Sequence, residues 1–109
     1  MNMRGGCSLQ VSILASGSKG NSVYVEMDGT RLLIDAGISA ARITKSLRAR
    51  GVEPQSLDAV LVTHEHIDHV RGLKTLAKQY HLPIIATRGT LAGIDGGAAF
   101  ADNMQSITD

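Results

Sequence analysis

The chain has 109 residues, 43% apolar but only 3% aromatic, which suits one domain with a core of Val, Ile, Leu and Ala. Eleven Lys and Arg against ten Asp and Glu give a net charge of +1, so overall charge makes no case for a nucleic-acid or membrane-surface protein, although a local basic patch stays open. One cysteine, Cys7, excludes an intrachain disulfide and a cysteine zinc knuckle, and points to a reducing, cytoplasmic setting.

Met1 to Ser16 holds a short apolar stretch interrupted by Gln10 and Ser12, which does not make a signal peptide. No window reaches the roughly 18 apolar residues of a membrane helix. Leu9 to Ala15 instead alternates, with Leu9, Val11 and Ile13 against Gln10 and Ser12, and predicts a half-buried first strand. Ser16 to Asn21 is a loop. It lacks the spacing of a Walker A phosphate loop. Ser22 to Met27 is a second strand with Val23 and Val25 on one face. Asp28-Gly29 is a hairpin turn leading to a third strand, Thr30 to Ile34.

Ser39 can cap a helix that runs to about Arg50, with Ile43 and Leu47 on one face and Gly51 placed for a left-handed stop. Leu57 to Thr63 reads as a strand buried on both faces, as in a parallel or mixed sheet. A second helix is expected from about Val70 to Tyr80, with Val70, Leu73, Leu76, Ala77 and Tyr80 inward. Leu82 to Thr87 is a further strand. Leu91 to Phe100 has some helical character, weakened by Gly93, Gly96 and Gly97. Three strands followed by strand–helix alternation predict an α/β (α+β) layered domain.

The chemistry concentrates in Thr63-His64-Glu65-His66-Ile67-Asp68-His69. Four metal-ligand side chains, His64, His66, Asp68 and His69, fall within six residues, at the carboxyl end of a buried strand where α/β sheets place their sites. In an extended segment His64, His66 and Asp68 project to one side, and His69 breaks the alternation, so the chain must turn there. Such a turn can aim His64 and His66 at one metal ion and Asp68 and His69 at a neighbour. Imidazole and carboxylate donors suit zinc, and also admit manganese or iron. Glu65 reads as a solvated spacer. The basic sets Arg42, Lys45, Arg48, Arg50 and Arg71, Lys74, Lys78 follow helical spacing and read as solvated helix faces, although a nuclease needs such charges near its cleft. His81 reads as a helix-end surface residue.

The run His64-x-His66-x-Asp68-His69 after a strand resembles the metallo-β-lactamase-fold superfamily. Ala15 to Ser22, Ile34-Asp35-Ala36-Gly37 and Thr63 to Leu73 together look like the WalJ (YycJ) group of bacterial cytoplasmic DNA exonucleases, over about Val11 to Thr87. The resemblance implies two divalent metal ions, zinc foremost, held in part by His64, His66, Asp68 and His69. It implies that Asp68 also orients the attacking water, that Asp35 supports the metal loop by hydrogen bonding, and that Asn21 and Ser22 border and brace that loop. It implies a nucleic-acid substrate and no membrane.

The same resemblance sets an expectation about completeness. Superfamily domains are longer αββα sandwiches whose second half brings further His and Asp ligands, and His81 stands too close to His69 to serve as one of them. Residues 1–109 therefore read as a single, truncated N-terminal half of such a sandwich. An exposed sheet face, self-association and weak activity are expected of it in isolation. Three functions compete: a metal-dependent phosphodiesterase or DNA exonuclease, the same fold acting on a lactam, lactone or thioester, and a non-catalytic metal-binding fragment.

Overall fold

The computed structural model describes residues 8–64, 66–93 and 104–107, with the side chains of Asp68, Arg88, Leu91 and 104–107 outside that set. Six strands form one sheet in chain order: β1 (Leu9–Ala15), β2 (Ser22–Met27), β3 (Thr30–Ile34), β4 (Ala59–Leu61), β5 (Ile84–Thr87) and β6 (Met104–Ile107). The first three pair antiparallel, and β3 through β6 pair parallel. The β2–β3 hairpin closes through Asp28 and Gly29, both at positive φ (50° and 85°), the combination a tight hairpin of matching twist requires.

The parallel half is built from strand–helix–strand units. Ser39 caps α1 (Ala40–Ala49), its Oγ accepting from Arg42 N at 3.3 Å, and Gly51 follows the helix at φ +76°. β4 is shorter than the expected Leu57–Thr63, because a 3-10 turn at Pro54–Ser56 pins the chain just before it. The expected helix from Val70 is divided: α2 (Ile67–Val70) ends before Gly72, and α3 (Leu73–Tyr80) begins after it. Gly72 N donates to Ala36 O at 2.7 Å instead of continuing the helical ladder. His81 ends α3 in the left-handed conformation and is exposed, the helix-end position expected of it. The expected Leu91–Phe100 helix is partly replaced by α4 (Arg88–Gly93), and its remainder, with Cys7 and Glu65, lies outside the described residues. Strand β6 carries no alternation long enough to announce it.

Register decides what is core. Tyr24, Leu33, Val60 and Ile84 are cross-strand partners in one row, all buried, and they pack with Ile43 and Leu47 of α1 and Leu73 and Leu76 of α3. Each such side chain contributes roughly 1.5–3 kcal/mol on burial. The adjacent row, Ile13, Val23, Ile34, Leu61 and Ile85, points to the opposite face.

That opposite face corrects one expectation. The apolar side of β1 is not buried: Leu9, Val11 and Ile13 are 61%, 58% and 63% exposed. β4 is buried on both faces at Ala59 and Val60, as expected, and only Leu61 at its end is half-buried. The helices α1 and α3 cover one side of the sheet, so apolar alternation on the other side leaves a wide apolar surface open.

Candidate metal centre

Parallel pairing of β3 with β4 sets their carboxyl ends side by side, and Asp35, His64, His66 and His69 follow those ends, while Asn21 and Ser22 stand where the β1–β2 loop meets β2. Asp35 directly follows β3. Its N donates to Leu61 O at 2.7 Å, Ala36 N donates to His69 O at 2.8 Å, and Gly37 N donates to Asn21 O at 2.8 Å. Residues 35–37 therefore tie the loop after β1 to the loop after β4.

Asp35 is 5% exposed and sits at φ +64°, a left-handed conformation that Asp tolerates better than most residues. Its carboxylate accepts three hydrogen bonds: Thr63 N to Oδ1 at 2.8 Å, and Thr63 Oγ1 and His69 Nδ1 to Oδ2, each at 2.7 Å. A carboxylate only accepts, so Nδ1 of His69 carries the proton in this bond. The Thr63 hydroxyl has one hydrogen, which goes to Asp35. Its 3.1 Å contact with His64 Nδ1 is then a bond that His64 donates.

The rings of His64 and His69 lie 4.8 Å apart, centroid to centroid, and those of His64 and His66 lie 6.0 Å apart. His64 and His66 are exposed, and the His69 side chain is 19% exposed. The structure thus gathers three of the four predicted ligands at one strand end, while the Asp68 side chain lies outside the described set. Among the described residues, no three His, Cys, Asp or Glu side chains converge on a single point. The donor set nevertheless suits a divalent metal. Three imidazoles cluster at one strand end, and two of them are held by a hydrogen bond at Nδ1, as metal-binding histidines commonly are.

Asn21 and Ser22 occupy different roles. Asn21 closes the 17–21 loop, with Oδ1 accepting from Gly17 N at 3.2 Å and Nδ2 donating to Gly17 O at 3.0 Å. Ser22 is fully buried, and its Oγ has no hydrogen-bond partner among the described residues. Two glycines set the spacing of this hub. A Cβ on Gly20 would stand 2.5 Å from Gly37 O, and one on Gly72 would run into Ile38 O and Ala40 N.

Thr63 is the residue of the candidate site to which motif reading assigns no role. It links Asp35 to His64 and presents its backbone N to the same carboxylate. The available signal was a short hydroxyl side chain directly preceding the ligand run, on the strand that pairs with the one ending at Asp35.

Comparison with known proteins follows the same lines. The profile of the Metallo-beta-lactamase superfamily matches residues 15–102. Exodeoxyribonuclease WalJ of Streptococcus pneumoniae serotype 2 is 48% identical over 79 residues, which cover 72% of this chain and 29% of that protein. Ribonuclease Z of Methanopyrus kandleri is 38% identical over 87 residues, covering 80% of this chain and 29% of that protein. A solved B3 metallo-beta-lactamase superposes with a TM-score of 0.73 at 20% identity, over 91% of this chain and 43% of that one. The chain spans under a third of the length of these two curated relatives. No helix among the described residues is long and apolar enough to cross a membrane.

Proposed function

We propose, since this chain belongs to the metallo-beta-lactamase superfamily, that it supplies the metal-binding loop of a hydrolase acting on phosphodiester bonds, a DNA exonuclease in particular. The observation that carries this reading is the Asp35–Thr63–His69–His64 network, which holds two imidazoles by their Nδ1 atoms at the end of a parallel strand pair. The activities for which these relatives are named, exodeoxyribonuclease and ribonuclease, favour phosphodiesters over a lactam, lactone or thioester. Likeness to the B3 enzyme at 20% identity speaks for the fold alone.

In this reading His64 and His66 serve one divalent ion and Asp68 and His69 a second, with zinc foremost and manganese or iron as alternatives. Divalent ions bound there supply Lewis acidity toward a phosphoryl oxygen and lower the pKa of water. The chain's own residues do the positioning. Asp35 fixes the His69 ring and its tautomer, Thr63 fixes His64, and the Asp68 carboxylate orients the water that attacks phosphorus. Asn21 holds the neighbouring loop closed against Gly37, and Ser22 packs beneath it. One cysteine in the chain accords with a reducing cytoplasm.

A chimera tests this. Residues 11–87 of this chain replace the matching segment of the pneumococcal WalJ, and the product is assayed on 5′-phosphorylated DNA and on a chromogenic lactam. The expected result is about two metal ions per chain, DNA hydrolysis abolished by His66→Ala, and no lactam turnover. A folded, metal-loaded chimera that turns over the lactam and leaves DNA intact would overturn the proposal.

A further inference from the structure

The two covering helices carry a charge asymmetry that the overall balance conceals. Between Ala36 and Val52, and again between His69 and Ile94, the sequence contains eight of the chain's eleven Lys and Arg and none of its ten Asp and Glu. Most of these cations stand on α1 and α3: Arg42, Lys45 and Arg48 on the first, Lys74 and Lys78 on the second, all exposed. A groove of about 540 Å³ runs between the two helices on the side away from the sheet. Lys45 and Arg48 line one wall with Thr44, and Thr75, Gln79 and Tyr80 line the other. Arg48 pairs with Glu53 at 3.1 Å, whereas Lys45 has no acidic partner among the described residues.

The groove's position relative to the metal loop gives it meaning. Ala40 lines its near end, and Gly72, which closes the metal loop, stands so close to Ala40 N that a Cβ there would collide. Both helices are crossovers between parallel strands, so they run side by side away from the strand ends that carry His64 and His69. From Ala40 to Arg48 the groove extends about 12 Å at 1.5 Å per residue. Its lining combines cations, hydroxyl and amide donors and one aromatic ring, the set that holds a single nucleic-acid strand without reading sequence.

We infer that the α1–α3 groove is a binding track for the phosphate backbone of a single nucleic-acid strand, leading away from the metal loop. The choice of nucleic acid as occupant rests on the phosphodiesterase reading above. The binding itself does not require the metal centre.

The experiment therefore uses the 109-residue chain in excess EDTA, with a fluorescein-labelled 12-nucleotide DNA followed by anisotropy across a salt series. Thr30→Glu, which adds the same charge at the exposed β2–β3 hairpin, serves as the control, and circular dichroism checks the fold of every variant. Lys45→Glu on one wall and Thr75→Glu on the other are each expected to weaken binding about tenfold, and Lys45→Glu to reduce the salt slope by about 0.7, one phosphate contact on a single strand. Thr30→Glu is expected to bind as the parent does. Unchanged affinity in folded Lys45→Glu and Thr75→Glu chains would overturn the inference. So would competition by polyglutamate as effective as by unlabelled DNA, which would assign the groove to an acidic protein partner. Because the metal is chelated throughout, failure of the phosphodiesterase reading leaves these results unaffected.

Discussion

Removing the carboxylate of Asp35 tests whether the metal loop is organised from beneath. Asp35→Ala strips the acceptor from Thr63 N, Thr63 Oγ1 and His69 Nδ1, three donors now held at 2.8, 2.7 and 2.7 Å. Each buried donor left unpaired costs about 1–3 kcal/mol. The His69 side chain is 19% exposed, so water recovers part of that loss. Alanine at φ +64° adds roughly 1–2 kcal/mol that aspartate largely avoids. The expected destabilisation is about 3–5 kcal/mol, a large part of the stability of a small domain.

Asp35→Asn separates folding from metal binding. It keeps the backbone preference and one acceptor oxygen, so urea unfolding should show a loss of only about 1–2 kcal/mol. Its amide hydrogens face either Thr63 N or the pair Thr63 Oγ1 and His69 Nδ1, and two donors cannot share a bond. His69 relieves the conflict by moving its proton to Nε2, which removes the lone pair that would bind metal. Zinc affinity, measured by competition with a chromophoric chelator, should fall about 10–100-fold. Nitrogen-15 shifts of the His69 ring should report the tautomer change directly. An Asp35→Asn chain that keeps the proton on Nδ1 of His69 and binds zinc within about twofold of the parent would refute this account of the loop.

Two further outcomes follow from features outside the site. Burial of Tyr24, reinforced by its 2.6 Å bond to Glu26, pushes its pKa up from 10.0 to about 12. The unfolded chain therefore releases this proton first, so the stabilisation is whole below pH 10 and lost as pH rises through 12; comparing the melting of parent and Tyr24→Phe across that window should show the parent losing more, and parallel curves would refute it. The open sheet face should drive the 109-residue chain to associate in sedimentation experiments, and Val11→Lys with Ile13→Lys should return it to monomer; a parent that stays monomeric at high concentration would remove that reading.

Much of this protein was readable from local pattern. Ser39, Gly51 and the Asp28-Gly29 turn marked their boundaries because each satisfies a backbone requirement that few residue types meet. The candidate ligand run stood out because His64, His66, Asp68 and His69 crowd more donor side chains into six residues than an ordinary turn contains. Gly72 and Thr63 were not legible, since their roles arise from neighbours far along the chain: Ile38, Ala36 and Asp35.

The alternation of Leu9, Val11 and Ile13 shows the same limit from another side. Period-two spacing states which residues share a face of a strand, but it carries no sign that says which face meets the helices. That sign comes from the side of the sheet on which the β3–α1–β4 and β4–α3–β5 crossovers lie, a property of the whole connection. The local sequence thus determined the first five strands, the turns and the crowding of donor side chains between His64 and His69. Tertiary structure decided that Asp35 aims two imidazoles, that the basic helices enclose a groove beside them, and that the apolar face of β1 is left uncovered. All three depend on the order in which parallel strands and their crossover helices pack, which no window of neighbouring residues records.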